Sequence, residues 1–204
     1  MSFDSVIYAI GDKLEYVYFP NGGVISMLAG VSTESTLEVG LVGSEGMAGL
    51  PVFLGVKTSY SRAIVQGRGT ALRMEAEEFV TECSNGGLLP RVLMRYAHSM
   101  LFQISQSAVC YRFHLIEQRL ARWLLMTGDR METNEFDMTQ HFLSNMLGVR
   151  REAVNRSAGI LQKKNLIAYK HGRILILDRP GLEEASCECY KMISNEPSID
   201  PVGV

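Results

Sequence analysis

The sequence predicts an α+β protein in which short strands come first and helices follow. Residues 1–82 are rich in glycine and in residue types that favour strands. From Leu88 to Arg112, apolar residues recur at three- and four-residue steps, which predicts one helix of about 25 residues. Beyond Phe136, two shorter helical patterns meet at Gly148. These observations place a β-rich half before a helical half.

The first half divides into strands separated by turn residues. Tyr16–Leu28 predicts two strands around the turn Asn21-Gly22-Gly23. Many short strands between turns are typical of a sandwich or barrel. The other predicted elements are a first strand from Ser5, strands at Thr36–Val42, Ser61–Gln66 and Thr70–Met74, and a short helix from Glu75 to Val80.

The long helix is predicted to end at a hinge, Phe113-His114, and a new helix is predicted to begin at Leu115. Apolar spacing in this helix predicts a buried side and a solvated side. The expected core residues are Leu115, Leu120, Trp123, Leu124 and Met126, and the expected solvated residues are Glu117, Arg119 and Arg122.

The segment Thr139–Arg156 predicts a helix, a tight turn at Gly148 and a second helix that begins near Arg150. Arginine can donate two hydrogen bonds to guanine, and glutamate can accept one from cytosine. Alternatively, this surface is only a solvated helix face with an i,i+4 ion pair between its glutamate and its last arginine. The residues on the exposed face of the second helix are Arg151, Glu152, Asn155 and Arg156.

The run Gly148-Val-Arg-Arg-Glu-Ala-Val-Asn-Arg156 resembles the turn and recognition helix of the Crp/Fnr family of bacterial transcription regulators, which often carry Gly-x-x-Arg-Glu-x-x-x-Arg. The following segment, Leu161–Leu177, is similar to the end of that helix and the β-hairpin wing. The resemblance implies an N-terminal β-roll (jelly-roll-like), a long dimerisation helix and a C-terminal winged helix-turn-helix.

The same resemblance implies two domains and a function. Residues 1–113 would form a cyclic-nucleotide-binding-like sensor domain ending in the dimer helix at about 88–112, and residues 114–204 would form the winged helix-turn-helix and a C-terminal tail. We expect a homodimer that binds a palindromic site in double-stranded DNA, with RNA polymerase as a further partner. The alternative is a cyclic-nucleotide-responsive sensor or adaptor whose helix-turn-helix binds protein. An enzyme is not expected, because no group of nucleophile, base and orienting residue is visible.

The implied DNA contacts fall into two sets. Arg151, Glu152, Asn155 and Arg156 are expected to contact bases, and phosphate contacts are expected from Thr139, Gln140, Arg150, Lys170, His171 and Arg173. Residues 137–180 carry eight lysines and arginines against three acidic residues, in a chain of net charge −2. A basic segment in an acidic chain supports phosphate binding.

The effector site implied by the resemblance is altered in this chain. Family members that bind cyclic nucleotides carry a cassette resembling Gly-Glu-Leu-Gly-Leu and, after a loop, Arg-Ser-Ala. Here the first part is Gly46-Met-Ala-Gly-Leu, so Met47 replaces the glutamate that holds the ribose. Ser61 replaces the phosphate-binding arginine, and Arg62 is displaced by one residue, which turns a strand side chain to the other face. Glu45 and Arg62 are the only neighbouring substitutes, so we expect an unknown effector or none, not a cyclic nucleotide.

Cysteines and histidines are scattered along the chain, at Cys83, Cys110, Cys187, Cys189, His98, His114, His141 and His171. Their spacing predicts no disulfide framework, no metal site and no cofactor. A signal peptide and a membrane-spanning run are also not apparent, so a cytoplasmic location is expected.

Overall fold

The computed structural model describes residues 1–31 and 36–195, so the end of the predicted C-terminal tail lies outside the described residues. The N-terminal half consists of antiparallel strands and two short helices. These elements are β1 (Val6–Tyr8), β2 (Tyr16–Asn21), β3 (Val24–Gly30), β4 (Thr36–Val42), α1 (Leu50–Phe53), β5 (Arg62–Gly67), β6 (Thr70–Glu75) and α2 (Ala76–Ser84).

The strands form two sheets, one in the order β1-β5-β3-β4 and one made of β2 and β6. The predicted turn Asn21-Gly22-Gly23 separates two strands as expected, but these strands do not pair with each other. Instead, β2 pairs with β6, and β3 pairs with β4 and β5. The crossing is tight because a Cβ on Gly23 would lie 2.7 Å from the carbonyl oxygen of Gly67. Positive φ values at Gly22 and Gly23 allow the chain to pass from one sheet to the other.

The long helix α3 (Leu88–Phe113) has one face against β4. The Gln103 side chain joins the edge of this strand, since its Oε1 accepts from Leu41 N at 2.7 Å and its Nε2 donates to Leu41 O at 3.3 Å. Met100 is also buried here, and its sulfur lies beside Gly40. On the opposite side, α3 exposes large apolar side chains that no part of residues 1–31 and 36–195 covers, namely Met94, Leu101, Ile104 and Val109.

The helix α4 (Ile116–Met131) begins after two extended residues, His114 and Leu115, close to the predicted hinge. The predicted sides of this helix are wrong at three positions. Arg119 and Arg122, which were expected in solvent, are both buried, and Leu115, which was expected in the core, is 63% exposed. The reason is that α4 lies between the strands β3 and β4 and the C-terminal helices, which leaves its middle no solvated side. Arg119 donates to the carbonyl oxygen of Leu147, and its guanidinium lies 4.5 Å from the centre of the Tyr111 ring.

The remaining elements surround α4. They are β7 (Glu135–Asp137), α5 (Gln140–Leu147), α6 (Arg151–Lys163), β8 (Ile167–Lys170), β9 (Arg173–Ile176), α7 (Arg179–Ala185) and α8 (Cys189–Ser194). The predicted hairpin wing is β8 and β9, and β7, which was not predicted, extends it to a sheet in the order β7-β9-β8. Within the described residues, no helix combines the length and apolar character needed to cross a bilayer.

One of the buried hydrophobic clusters spans the two halves of the chain. Leu28 and Leu41 from the strands pack in the same buried cluster as Trp123 from α4 and Phe142 from α5. A polar contact also joins the two halves: Gln66 Nε2 of β5 donates a hydrogen bond to Thr127 Oγ1 of α4 at 2.6 Å. The order of antiparallel strands, long helix and helix-turn-helix confirms the predicted α+β fold class.

Candidate nucleic-acid interface

The turn between α5 and α6 is fixed by backbone geometry and capping. Thr139 is the N-cap of α5, and its hydroxyl accepts a hydrogen bond from Phe142 N at 3.1 Å. The helix ends at Gly148, whose φ of 61° is left-handed and suits glycine. A Cβ at this position would also lie 2.5 Å from Leu37 Cδ1 of β4, so the turn approaches the first sheet closely. α6 then begins at Arg151.

The faces of α6 are separated as the sequence predicts. Val154, Ala158 and Leu161 are buried against the core. Opposite them, the four side chains expected to contact bases are all exposed: Arg151, Glu152, Asn155 and Arg156. Asn155 is held across the motif, since its Oδ1 accepts from Gln140 Nε2 of α5 at 3.2 Å. The structure therefore brings the predicted base-contacting set together on one surface.

The alternative of an ion-paired helix face has no support in the geometry. Within residues 1–31 and 36–195, neither Glu152 nor Arg156 takes part in a salt bridge. Glu152 lies in the first turn of α6, where the helix dipole stabilises a carboxylate. The charged groups of this face are thus available to an external partner.

The residues expected to contact phosphate lie around α6. Lys170 and His171 are exposed at the tip of the wing, where His171 and Gly172 have φ values of 53° and 79°. Two successive positive φ values are typical of a tight two-residue hairpin turn. Arg150, the N-cap residue of α6, is exposed as well. Thr139 and Gln140 lie at the start of α5, where each side chain already has a hydrogen-bond partner in the protein.

Arg173 is less available than the sequence suggested. Its Nε lies 2.9 Å from a carboxylate oxygen of Glu135 and 3.6 Å from one of Asp137. Both acids belong to β7, the strand that sequence patterns did not reveal. The charge of Arg173 is therefore partly balanced inside the protein, although its side chain is 65% exposed.

The cassette that would hold a cyclic nucleotide is packed into the protein. Met47 is 1% exposed and belongs to the core of the first half. A Cβ on Gly46 would lie 2.2 Å from the Tyr96 ring, and Tyr96 donates its hydroxyl hydrogen bond to the carbonyl of Met47 at 2.9 Å. Glu45 accepts from Arg130 Nε of α4 at 2.7 Å. Glu45, the carboxylate next in sequence to the position of the missing glutamate, is thus paired with Arg130 in the helical half of the chain.

Ser61 and Arg62 are partly buried at the start of β5. The Ser61 backbone N donates to Ser59 Oγ at 3.2 Å, and Arg62 stands opposite Leu28 in the sheet. Two grooves, of about 730 and 640 Å³, open elsewhere on the chain. The five predicted pocket residues, Glu45, Gly46, Met47, Ser61 and Arg62, line neither groove.

A cluster of cysteine and histidine side chains was missed by the sequence analysis. Cys110 and His114, at the end of α3, meet Cys187 and Cys189, and their candidate ligand atoms all lie within 4.8 Å of one another. These four residues are scattered in sequence, but the fold brings them together. The available signal was weak: a cysteine and a histidine four residues apart on a helix share one face, and Cys-x-Cys places two thiols close together.

Comparison with known proteins agrees with this geometry. Residues 118–185 match the family model of the Crp-like helix-turn-helix domain. That range contains α5, α6 and the wing. None of the curated proteins matches the chain by sequence.

Solved structures extend the likeness to nearly the whole chain. FixK2 from Bradyrhizobium japonicum has a TM-score of 0.76 at 16% identity, covering 91% of this chain and 94% of that one. A transcriptional regulator of the CRP family from Thermus thermophilus has a TM-score of 0.75 at 16% identity, covering 91% of this chain and 95% of that one. The c-di-GMP responsive global regulator CLP from Xanthomonas campestris has a TM-score of 0.67 at 18% identity, covering 86% and 91%.

The fold is therefore that of the Crp/Fnr transcription regulators, a class of proteins that are not enzymes. Within it, residues 118–185 match the Crp-like helix-turn-helix domain, in agreement with the resemblance of the Gly148–Arg156 motif.

Proposed function

We propose that this chain is a homodimeric transcription regulator that binds a palindromic site in double-stranded DNA. Residues 1–113 serve as a sensor domain with the dimer helix, and residues from 114 onward serve as the DNA-binding domain. Because α6 enters the major groove once per protomer, the half-sites lie about one helical turn apart. RNA polymerase is a further partner in this proposal, and the bacterial cytoplasm is where the regulator acts.

The observation that carries this proposal is the exposed face of α6. Arg151, Glu152 and Arg156 project from one side of the helix while Val154 and Ala158 are buried on the other. Arg151 and Arg156 suit guanine, and Glu152 suits the amino group of cytosine. Asn155, held by Gln140, suits adenine in the same groove.

Phosphate contacts fix the register of α6 on the duplex. Lys170 and His171 at the wing tip and Arg150 at the start of α6 are exposed and fit this role. The backbone N–H groups at the α5 N-terminus, beside Thr139, add uncharged donors. Arg173 contributes less, since Glu135 and Asp137 balance its charge.

The exposed side of α3 supports the homodimer. Met94 is 58% exposed and Leu101 is 65% exposed, on the face that points away from β4. A helix face with several exposed large apolar side chains is stabilised by a symmetry-related copy of itself, which buries the same residues from both chains. Ile104 and Val109 extend the same surface toward the C-terminal end of α3.

The sensor half has lost the cyclic-nucleotide site in this proposal. Met47 offers no hydrogen bond to a ribose hydroxyl, and Tyr96 fills the space beside Gly46. The regulator CLP, of similar fold, responds to c-di-GMP, so a different effector remains open for this chain. The alternative function is an adaptor whose helix-turn-helix binds protein and whose sensor half answers to a cyclic nucleotide.

Selection of bound sites from random duplex DNA, with and without cyclic AMP, tests the proposal. We expect the full chain to enrich a palindrome with two half-sites, and we expect cyclic AMP to leave the enrichment unchanged. Binding that shows no sequence preference and no dependence on salt would favour the adaptor instead.

A further inference from the structure

Four potential metal ligands meet where α3 ends. Cys110 Sγ lies 3.5 Å from Cys187 Sγ, and Cys189 Sγ lies 3.4 Å from His114 Nδ1. The three cysteines are at most 2% exposed and form a buried cluster of their own. Two ligands come from the last turn of α3 and its C-cap, one comes from the segment before α8, and one is the first residue of α8.

We propose that Cys110, His114, Cys187 and Cys189 bind one Zn²⁺ ion in a tetrahedral Cys₃His site. Three thiolates and one imidazole are a donor set that structural zinc sites use. Four protein ligands leave no open coordination position, so the site is structural or regulatory and does not activate water. Binding releases the protons of the three thiols, so the ligand set with Zn²⁺ carries one net negative charge.

The dimensions fit a single ion. Zn–S bonds of about 2.3 Å in a tetrahedron place neighbouring sulfur atoms about 3.8 Å apart. The Cys110–Cys187 separation of 3.5 Å is close to this value, and the largest separation in the set, 4.8 Å, needs only small side-chain adjustments. An iron–sulfur cluster needs its ligands distributed around a core of several atoms, which this compact arrangement does not provide.

Contacts from residues outside the four proposed ligands orient His114. Glu188 Oε1 lies 3.3 Å from His114 Nε2, which leaves Nδ1 facing Cys189. A carboxylate on the outer nitrogen is the usual partner of a metal-bound histidine, since it fixes the ring and its tautomer. Gln106 Nε2 lies 3.1 Å from Cys189 Sγ, where it can donate to a thiolate.

Buried positive charge lies beside the cluster. Arg122 is 4% exposed and interacts electrostatically with Cys110 and Cys187. Arg119 is also buried and interacts with the same two thiols. The Nε atoms of both arginines have no hydrogen-bond partner among the described residues. A buried cation needs compensation, and a site with one net negative charge provides it.

The position of the site suggests a consequence, which rests on the function proposed above. His114 belongs to the extended connection between α3 and α4, and α8 follows the helix-turn-helix domain in sequence. A metal ion joining these segments fixes the C-terminal half relative to the dimer helix. Loss of the ion then loosens the arrangement of the two α6 helices that a palindrome requires.

Metal content of the full chain, purified with a reductant and without added metal, tests the site directly. We expect about one zinc per chain, and replacement by Co²⁺ should give the intense visible bands of tetrahedral thiolate coordination. Cys187→Ser and His114→Gln should lose the metal, whereas Cys83→Ser, a matched control at the remaining cysteine on α2, should retain it. Because the cobalt spectrum is measured on the unaltered chain, the test does not depend on whether a variant folds.

Outcomes that contradict the site are also specific. A chain without zinc that does not bind added Zn²⁺ or Co²⁺ overturns the proposal. So does a stable Cys110–Cys187 disulfide in protein freshly isolated without a reductant, detected as a mass loss of about two daltons that a reductant reverses. Zinc lost equally from Cys83→Ser would indicate non-specific thiol binding and would overturn it as well.

DNA binding provides a separate measurement. Chelation should weaken binding to the selected duplex by about tenfold, and added Zn²⁺ should restore it. Arg156→Ala should lose DNA affinity while it keeps one zinc per chain. Zinc binding without any effect of chelation on DNA affinity contradicts the coupling and leaves the regulator intact. Failure of the unaltered, zinc-loaded chain to bind DNA contradicts the proposed function and leaves the metal site intact.

Discussion

The Glu38 carboxylate of β4 accepts a hydrogen bond of 2.8 Å from the indole Nε1 of Trp123 in α4. The contact joins the two halves of the chain at a point where both side chains are buried. The second carboxylate oxygen of Glu38 has no partner among the described residues. A buried carboxyl group with an incomplete set of partners is expected to hold its proton unusually tightly.

Burial raises the pKa of Glu38 from 4.5 to about 7, against the opposing effects of Ser26, Trp123, Arg122 and Arg130. The folded chain therefore binds this proton more tightly than the unfolded chain, and its stability falls as the pH rises from about 4.5 to about 7. Glu38→Gln should remove that decline, which is of the order of 3 kcal/mol.

Urea unfolding at several pH values between 5 and 8 measures this effect. Glu184→Gln, at an exposed carboxylate on α7, is the control and should follow the original chain. A pH dependence that Glu38→Gln leaves unchanged would show that the Glu38 proton does not contribute to stability.

The exposed side of α3 leads to a prediction about assembly. Leu101→Glu should place a charge in the dimer interface and convert the dimer to a folded monomer. Val80→Glu, the same kind of change at an exposed position on α2, should leave the dimer intact. Sedimentation of the three chains at micromolar concentration measures the difference. Met100, also on α3, is unsuitable for this test because it is buried against its own β4.

If the original chain sediments as a monomer at that concentration, the assignment of α3 as the dimer helix is wrong.

Cyclic AMP and cyclic GMP should not bind at micromolar concentrations. Ser61 stands where the phosphate-binding arginine is needed. Loss of the charged partner of a buried phosphate costs several kcal/mol of binding free energy. Since about 1.4 kcal/mol corresponds to a tenfold change in affinity, this loss abolishes micromolar binding. A ligand that does not bind cannot shift the DNA-binding equilibrium. Calorimetry measures the binding. Micromolar affinity that disappears in Arg62→Ala would mean that the displaced arginine has preserved the phosphate site.

Sequence patterns predict where strands and helices lie along the chain better than they predict which of these elements pair with each other. The strand predicted at Thr36–Val42 is β4 with its observed bounds, because residue types that favour strands signal a strand locally. The turn Asn21-Gly22-Gly23 was also placed correctly, yet the pairing of its strands depends on Gly67 and Gly69, more than forty residues away. Local patterns contain no information on such distant contacts.

In the candidate site, too, local features were predicted from the sequence and features that depend on distant contacts were not. The exposed face of α6 follows from helical spacing, so Arg151, Glu152, Asn155 and Arg156 were found from the sequence. The burial of Arg119 and Arg122 was not predicted, because it depends on the elements that pack on both sides of α4. The cysteine–histidine cluster was missed for a related reason. Cys110 and Cys187 are 77 residues apart, and only the packing of α8 against α3 brings them together.

Base contact by α6 is the central claim, and titration of the selected duplex tests it most directly. Arg156→Ala should lose about 1–3 kcal/mol on that duplex and relax the preference at one base pair, with little change on random DNA. Lys170→Ala should weaken binding to all sequences alike and reduce the salt dependence by about one phosphate contact. Equal losses on selected and random DNA for Arg156→Ala would contradict the account.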